Sequence, residues 1–166
     1  MKLAILLGVL TIALTFLVGG VASTHGPNVL ARFLERDTRY TPEELRHWVS
    51  ENVANARAYA FPVLFPLDVL FLVCFGGFLA SGSRSLGSEI GISGGVHRWL
   101  LAAPVVYVAA DLLEDAALAW MLTSAARITP ATVQATKVLT TVKLATSSIG
   151  IVQLTVLAAI AVWKDS

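Results

Sequence analysis

The chain has 166 residues, of which 56% are hydrophobic and only 14% are charged, and its mean hydropathy is +0.74. A soluble domain of this length needs more charge on its surface, so the composition points to one integral membrane domain over residues 1–166. A net charge of +1 without a long basic run argues against nucleic acid as a partner, and a single cysteine, Cys74, excludes an internal disulfide or a two-cysteine redox centre.

Four apolar stretches are expected to span the membrane, over 3–21, 58–80, 99–122 and 138–162. Each reaches the roughly 20 residues that a hydrocarbon core about 30 Å thick requires, and unpaired backbone groups are not tolerated in lipid, so each must be a helix. Trp99, Trp120, Trp163 and Tyr59 fall near the ends of these stretches, where interface aromatics collect.

The first stretch follows Lys2 and ends at Val21-Ala22-Ser23, a pattern shared with secretory signals. Its length, and a stripe of small and hydroxyl residues at Gly8, Thr11, Thr15, Gly19 and Ala22, favour a retained anchor with a packing face. The connection 22–57 is expected to be partly helical, with a short turn of helix over Asn28 to Glu35. Thr41-Pro42-Glu43-Glu44 is a helix start, with Thr as cap, Pro at the first position and Glu placed to close a capping box. Leu45, Trp48, Val49, Val53, Ala56 and Ala60 then recur at helical spacing, which predicts an interfacial amphipathic helix running toward the second span.

Pro62 and Pro66 predict a bend at the start of that span, just before Asp68. The connection from Ser81 to Gly95 is rich in Gly and Ser and reads as a flexible loop without a phosphate-binding pattern. Thr129-Pro130 marks the start of the last helix. No internal repeat is visible, which argues against a transporter of two matched halves.

An even number of spans places both termini on one side. Positive-inside counting favours the side of Arg32, Arg36, Arg39, Arg46 and Arg57 as cytoplasmic, whereas the signal-like start favours the termini. The reading adopted is an inner-membrane protein with cytoplasmic termini.

The third stretch carries Asp111, Glu114 and Asp115 within Tyr107-Val-Ala-Ala-Asp-Leu-Leu-Glu-Asp. Acids at mid-helix cost roughly 2.5–3.5 kcal/mol each on insertion scales, so they persist only if neutralised, paired or used. Up-and-down topology brings Asp68, Asp111, Glu114, Asp115 and Lys143 into the same half of the bilayer. Tyr107, Asp111, Glu114 and Leu118 share a narrow sector of their helix. Thr136, Thr140, Lys143, Ser147 and Gly150 form a polar and small seam on the last span, so Lys143 can meet an acid of the third. Four acids against one lysine leave an imbalance, and one or more carboxyls is expected to be neutral near pH 7. His25, His47 and His97 are scattered, so no metal or other cofactor is expected.

The pair Phe65-Pro66-Leu67-Asp68 and Asp111-Leu-Leu-Glu114-Asp115 resembles a group of small four-span bacterial membrane proteins, which carry Pro-Leu-Asp and Asp-x-x-Glu-Asn in similar places. This chain has Asp115 where that pattern has Asn. The resemblance implies the topology, a bacterial setting and the choice of acids, and supplies no activity.

The sequence thus predicts an all-α, four-transmembrane-helix bundle with an interfacial helix between its first two spans. The candidate site is Asp68, Tyr107, Asp111, Glu114, Asp115 and Lys143, with no catalytic residue assigned. The leading expectation is a non-enzymatic accessory or assembly component, with the lipid bilayer and another membrane protein or a second copy as partners. A proton- or cation-responsive protein, and a lipid- or isoprenoid-modifying enzyme, are the alternatives.

Overall fold

The computed structural model describes residues 1–25 and 38–164. Among these the chain is all-helical, without a strand. The turn expected over Asn28 to Glu35, with Arg32 and Arg36, lies outside the described residues, as does the side chain of His25.

Helix α1 (Lys2–His25) is followed, beyond the undescribed stretch, by α2 (Pro42–Glu51) and α3 (Val53–Ala58). The capping box at the start of α2 forms: the Glu44 amide donates to Thr41 Oγ1 at 3.1 Å, and the Thr41 amide donates to Glu44 Oε2 at 2.8 Å. The expected continuous amphipathic helix is broken at Asn52, whose φ and ψ of −125° and 42° interrupt the ladder. Its backbone and side-chain amides both donate to the Trp48 carbonyl, at 2.9 and 3.0 Å.

The bend before Asp68 is present. Over Tyr59–Asp68 the helix is interrupted at Phe61 (φ −141°, ψ 112°) and Phe65 (φ −128°, ψ 119°). Both precede a proline, whose ring clashes with an α-helical predecessor and drives it into extended backbone. Helix α4 (Val69–Glu89) then runs through the stretch expected to be a loop. Its small residues serve close packing rather than flexibility. A Cβ on Gly82 would come within 2.8 Å of Leu154 Cδ1, and one on Gly87 within 2.7 Å of Leu100 Cδ1. The helix stops at Gly91, which takes a left-handed φ of 87°. There the Ile92 amide reaches back to the Gly87 carbonyl at 2.8 Å and the Gly91 amide to Ser88, the closing pattern of a helix end.

Helix α5 (Gly94–Trp99) leads into α6 (Ala102–Leu122), and a single short turn, Ala125–Arg127, leads into α7 (Pro130–Lys164). The last helix starts at Pro130, as its Thr-Pro signal predicts, and extends well beyond the apolar stretch 138–162.

Three segments are long and apolar enough to cross a membrane: Lys2–Thr24, Val53–Glu89 and Pro130–Lys164. Their outer faces stay bare, with Ile5, Val9, Ile12 and Phe16 on α1 and Ile149, Val152 and Val156 on α7 all exposed. Water-soluble folds rarely expose so much contiguous apolar surface. At 1.5 Å per residue the 21 residues of α6 also reach about 31 Å, but they include three acids.

Both described ends are tied to the last turns of α4. The Met1 ammonium donates to Ser85 Oγ at 3.2 Å, and Lys164 Nζ reaches the Glu89 carbonyl at 3.4 Å. At the opposite end, the main apolar core joins Leu45 and Val49 of α2 to Tyr59, Leu64, Leu118, Met121 and Ile128. Arg46 ties this cap down by donating to the Ile128 carbonyl at 2.8 Å. The amphipathic helix therefore closes one end of the molecule.

Candidate functional site

Helices α6 and α7 form the most extensive helix pairing among the described residues, and its centre is charged. Asp111 and Glu114 stand three residues apart on α6, hence on one face. Lys143 of α7 reaches both: Nζ lies 2.8 Å from Asp111 Oδ1 and 2.5 Å from Glu114 Oε2. Thr140, one turn before Lys143, donates its hydroxyl to Glu114 Oε1. Thr136, Thr140, Lys143 and Gly150 are all buried, as the seam predicts, whereas Ser147 is half-buried.

Asp115 lies on the flank of that face and is fully buried, yet among the described residues no donor reaches either of its carboxylate oxygens. Its neighbours are other acids. Asp68, Asp111 and Asp115 each offer one oxygen, and these lie within 4.8 Å of one another. The restart of the helix after Phe65 delivers Asp68 to this place. Asp68 stands at the head of α4 but does not cap it with its side chain.

Such a spacing matches the ligand shell of a cation, and it is the one grouping with metal-site dimensions among the described residues. A search for histidine ligands does not find it. His47 pairs with Glu51 at 3.4 Å on the exposed face of α2, and His97 Nδ1 lies 3.2 Å from the Ile92 carbonyl. One lysine faces both Asp111 and Glu114, and Asp115 adds a further buried carboxyl that no donor among the described residues reaches.

Asp68, Asp111 and Lys143 also form the polar side of a cavity of about 510 Å³. Its aromatic wall is Tyr59, Phe71, Phe75 and Tyr107. Phe75 meets Tyr107 edge-to-face, with ring centroids 5.3 Å apart and planes at 81°, and stacks with Phe71 at 5.7 Å. The Tyr107 hydroxyl lies within hydrogen-bonding range of Asp111. The third side is α1, through Thr15, Val18, Gly19, Ala22 and Ser23. Part of the stripe of small residues thus lines a space. The rest packs as expected: a Cβ on Gly8 would stand 3.2 Å from the Phe78 ring on α4.

All six site residues expected from the sequence are brought together: Asp68, Tyr107, Asp111, Glu114, Asp115 and Lys143 are buried within this one region. Tyr59, Phe71 and Phe75 were not among them. The signal was available, since Asp68, Phe71 and Phe75 are spaced three and four apart and so share a helix face. Gln153 was also missed. Its Nε2 donates to Ser83 Oγ and to the Leu100 carbonyl, both at 2.8 Å, satisfying a backbone acceptor at the junction of α5 and α6.

Comparison of the chain with protein-family models, with curated proteins and with solved structures finds no match in any of the three.

Proposed function

We propose that α6 crosses the bilayer with the other three long helices, and that this four-span protein binds a proton or a cation at Asp68, Asp111 and Asp115. The observation that carries the reading is Asp115: fully buried, without a donor on either oxygen, and grouped with two further carboxyls. A buried charge without a partner is strongly destabilising, so a proton or cation shared within the group is the physical remedy. Intramembrane acids gathered round a cavity are the usual equipment of proton and ion handling. The setting that goes with this reading is a bacterial inner membrane with both termini in the cytoplasm; the resemblance to small four-span bacterial membrane proteins supports the bacterial setting, and the signal-like start supports the orientation.

Difference infrared spectroscopy of the protein in lipid, between about pH 5 and 9, tests the reading in a range where perturbed carboxyls titrate. A protonated-carboxyl band that is lost in Asp115→Asn or Asp68→Asn, or on addition of a cation, is the expected result. Without such a band, the cluster is ionised and paired throughout, and the proposal falls.

The second reading, a structural accessory component, is favoured by a different observation. Lys143, Asp111, Glu114 and Thr140 satisfy one another across α6 and α7 and hold those helices in register. The two readings divide the cluster: Glu114 and Lys143 serve the register, whereas Asp115 stands outside the ion pair.

A further inference from the structure

The three carboxyls of the proposed site differ in what surrounds them. Asp111 is held by Lys143, whose Nζ lies 2.8 Å from Oδ1, so its charge is matched where it stands. Asp68 and Asp111 both line the cavity of about 510 Å³. Asp115 does not line it: the side chain is fully buried, and no donor among the described residues reaches either oxygen.

The charged groups that face Asp115 are Asp111 on its own helix, Asp68 at the head of α4 and Lys143 on α7. Asp68 lies within hydrogen-bonding range of it. An ionised carboxylate is an acceptor only, so two carboxyl groups at that range need a proton between them. Burial decides where the proton rests. Charge costs most where neither water nor a donor reaches it, and that place is Asp115.

Asp68 stands on the boundary. On one side it meets Asp115, and on the other it borders a space many times the volume of a water molecule. The wall of that space also carries Lys143 and the hydroxyls of Thr15 and Ser147. A cavity of this size and polarity offers water the several polar partners it requires.

We infer that Asp115 carries the bound proton and that Asp68 is its relay, passing the proton between the dry contact of α6 with α7 and water in the cavity. This rests on the proposed site and narrows its ligand to the proton. In the first transfer the O–H bond of Asp115 breaks as one forms on an Asp68 oxygen, and the electron pair stays on Asp115 as a carboxylate. In the second, Asp68 gives the proton to a cavity water, which becomes hydronium. A proton from that water returns to Asp115 by the same two transfers in reverse.

Infrared spectroscopy of the full-length protein in lipid, during exchange from ordinary to heavy water, tests the relay. Deuteration shifts the C=O band of a protonated carboxyl, so the rate of exchange is read at the group itself. The band should be lost in Asp115→Asn. In Asp68→Asn it should remain, and its deuteration should slow by about 100-fold or more, the scale on which a positioned proton-transfer group acts. Asp68→Glu keeps a carboxyl at the boundary and should restore most of the rate.

A band that survives Asp115→Asn, or one that is lost in a folded Asp68→Asn protein, would place the proton elsewhere and overturn the inference. Deuteration at the wild-type rate in Asp68→Asn would overturn it as well, because the proton would then leave by another way. Should Asp68→Asn fail to fold, the wild-type protein decides. A carboxyl that deuterates well ahead of the backbone amides of α6 supports the relay. One that exchanges only together with them reaches water by opening of the helix, and overturns it. Absence of any protonated-carboxyl band removes the proposed proton site itself, whereas a band whose exchange ignores Asp68 removes the relay alone.

Discussion

The contact between α6 and α7 and the contact between α1 and α4 are the two most extensive helix pairings among the described residues, and they use opposite means. The first buries an ammonium, two carboxylates and a threonine hydroxyl. The second sets small residues against large ones: a Cβ on Gly77 would stand 3.0 Å from Leu7 Cδ1, and one on Gly8 3.2 Å from the Phe78 ring. In lipid an apolar face gains little from meeting another apolar face, because the tails it displaces are as oily as its partner. The α1–α4 contact therefore depends on closeness of fit, whereas the α6–α7 contact depends on groups that have nowhere else to go. The α1–α4 contact should yield gradually to substitution and the α6–α7 contact abruptly.

The largest effect expected is that of Lys143→Met. It leaves Asp111 and Glu114 buried without their cation, a loss of about 3–5 kcal/mol. Unfolding in detergent should show it, and unchanged thermal stability would break the contrast between the two contacts. Thr140→Val is next. It removes a donor to Glu114 while keeping the shape, and should cost about 1.5–3 kcal/mol, the worth of a hydrogen bond to a charged group. Gly77→Ala on the apolar side should cost less than about 1 kcal/mol, since the Leu7 side chain can move by a few tenths of an ångström. A loss as large as that of Thr140→Val would mean the α1–α4 contact is as rigid as the polar one.

The smallest effect at neutral pH is expected at Tyr40, in the cap outside the candidate spans. Its phenol is pushed up to about 12 by burial and then by the negative charge of Glu114. The sign follows directly. The folded state holds the phenolic proton more tightly than the unfolded chain, so the contribution is complete below pH 10 and disappears as pH rises through 12. Tyr40→Phe should abolish that alkaline loss while changing little at pH 7, which a stability-versus-pH series would show.

The sequence made the polar contact legible because charge in an apolar stretch is costly and helical spacing says which charges share a face. That Lys143 can meet an acid of the third stretch followed on those grounds, whereas its reach to both Asp111 and Glu114 comes from the structure. The bend at Phe61 and Phe65 was legible for an equally local reason, the exclusion of α-helical backbone before proline. Gly82, Ser83 and Gly87 were not legible as helix. Their composition is that of a loop, and only Leu154, Gln153 and Leu100, distant in sequence, give them a helical use. The cavity was illegible for a related reason. Thr15 and Gly19 belong to a stripe that predicts contact, and only the separation of α1 from α7 turns part of it into a lining.

The arrangement of Asp111, Glu114 and Lys143 also bears on how the protein is made. Synthesis runs from the amino end, so α6 leaves the ribosome with its acids before Lys143 exists. In the proposed topology α6 cannot settle in the bilayer unaided, and must wait at the insertion machinery with its acids hydrated or protonated until α7 arrives. Chains that stall before Lys143 would carry unneutralised acids in an otherwise apolar segment. That would mark them as incomplete to whatever surveys nascent membrane proteins.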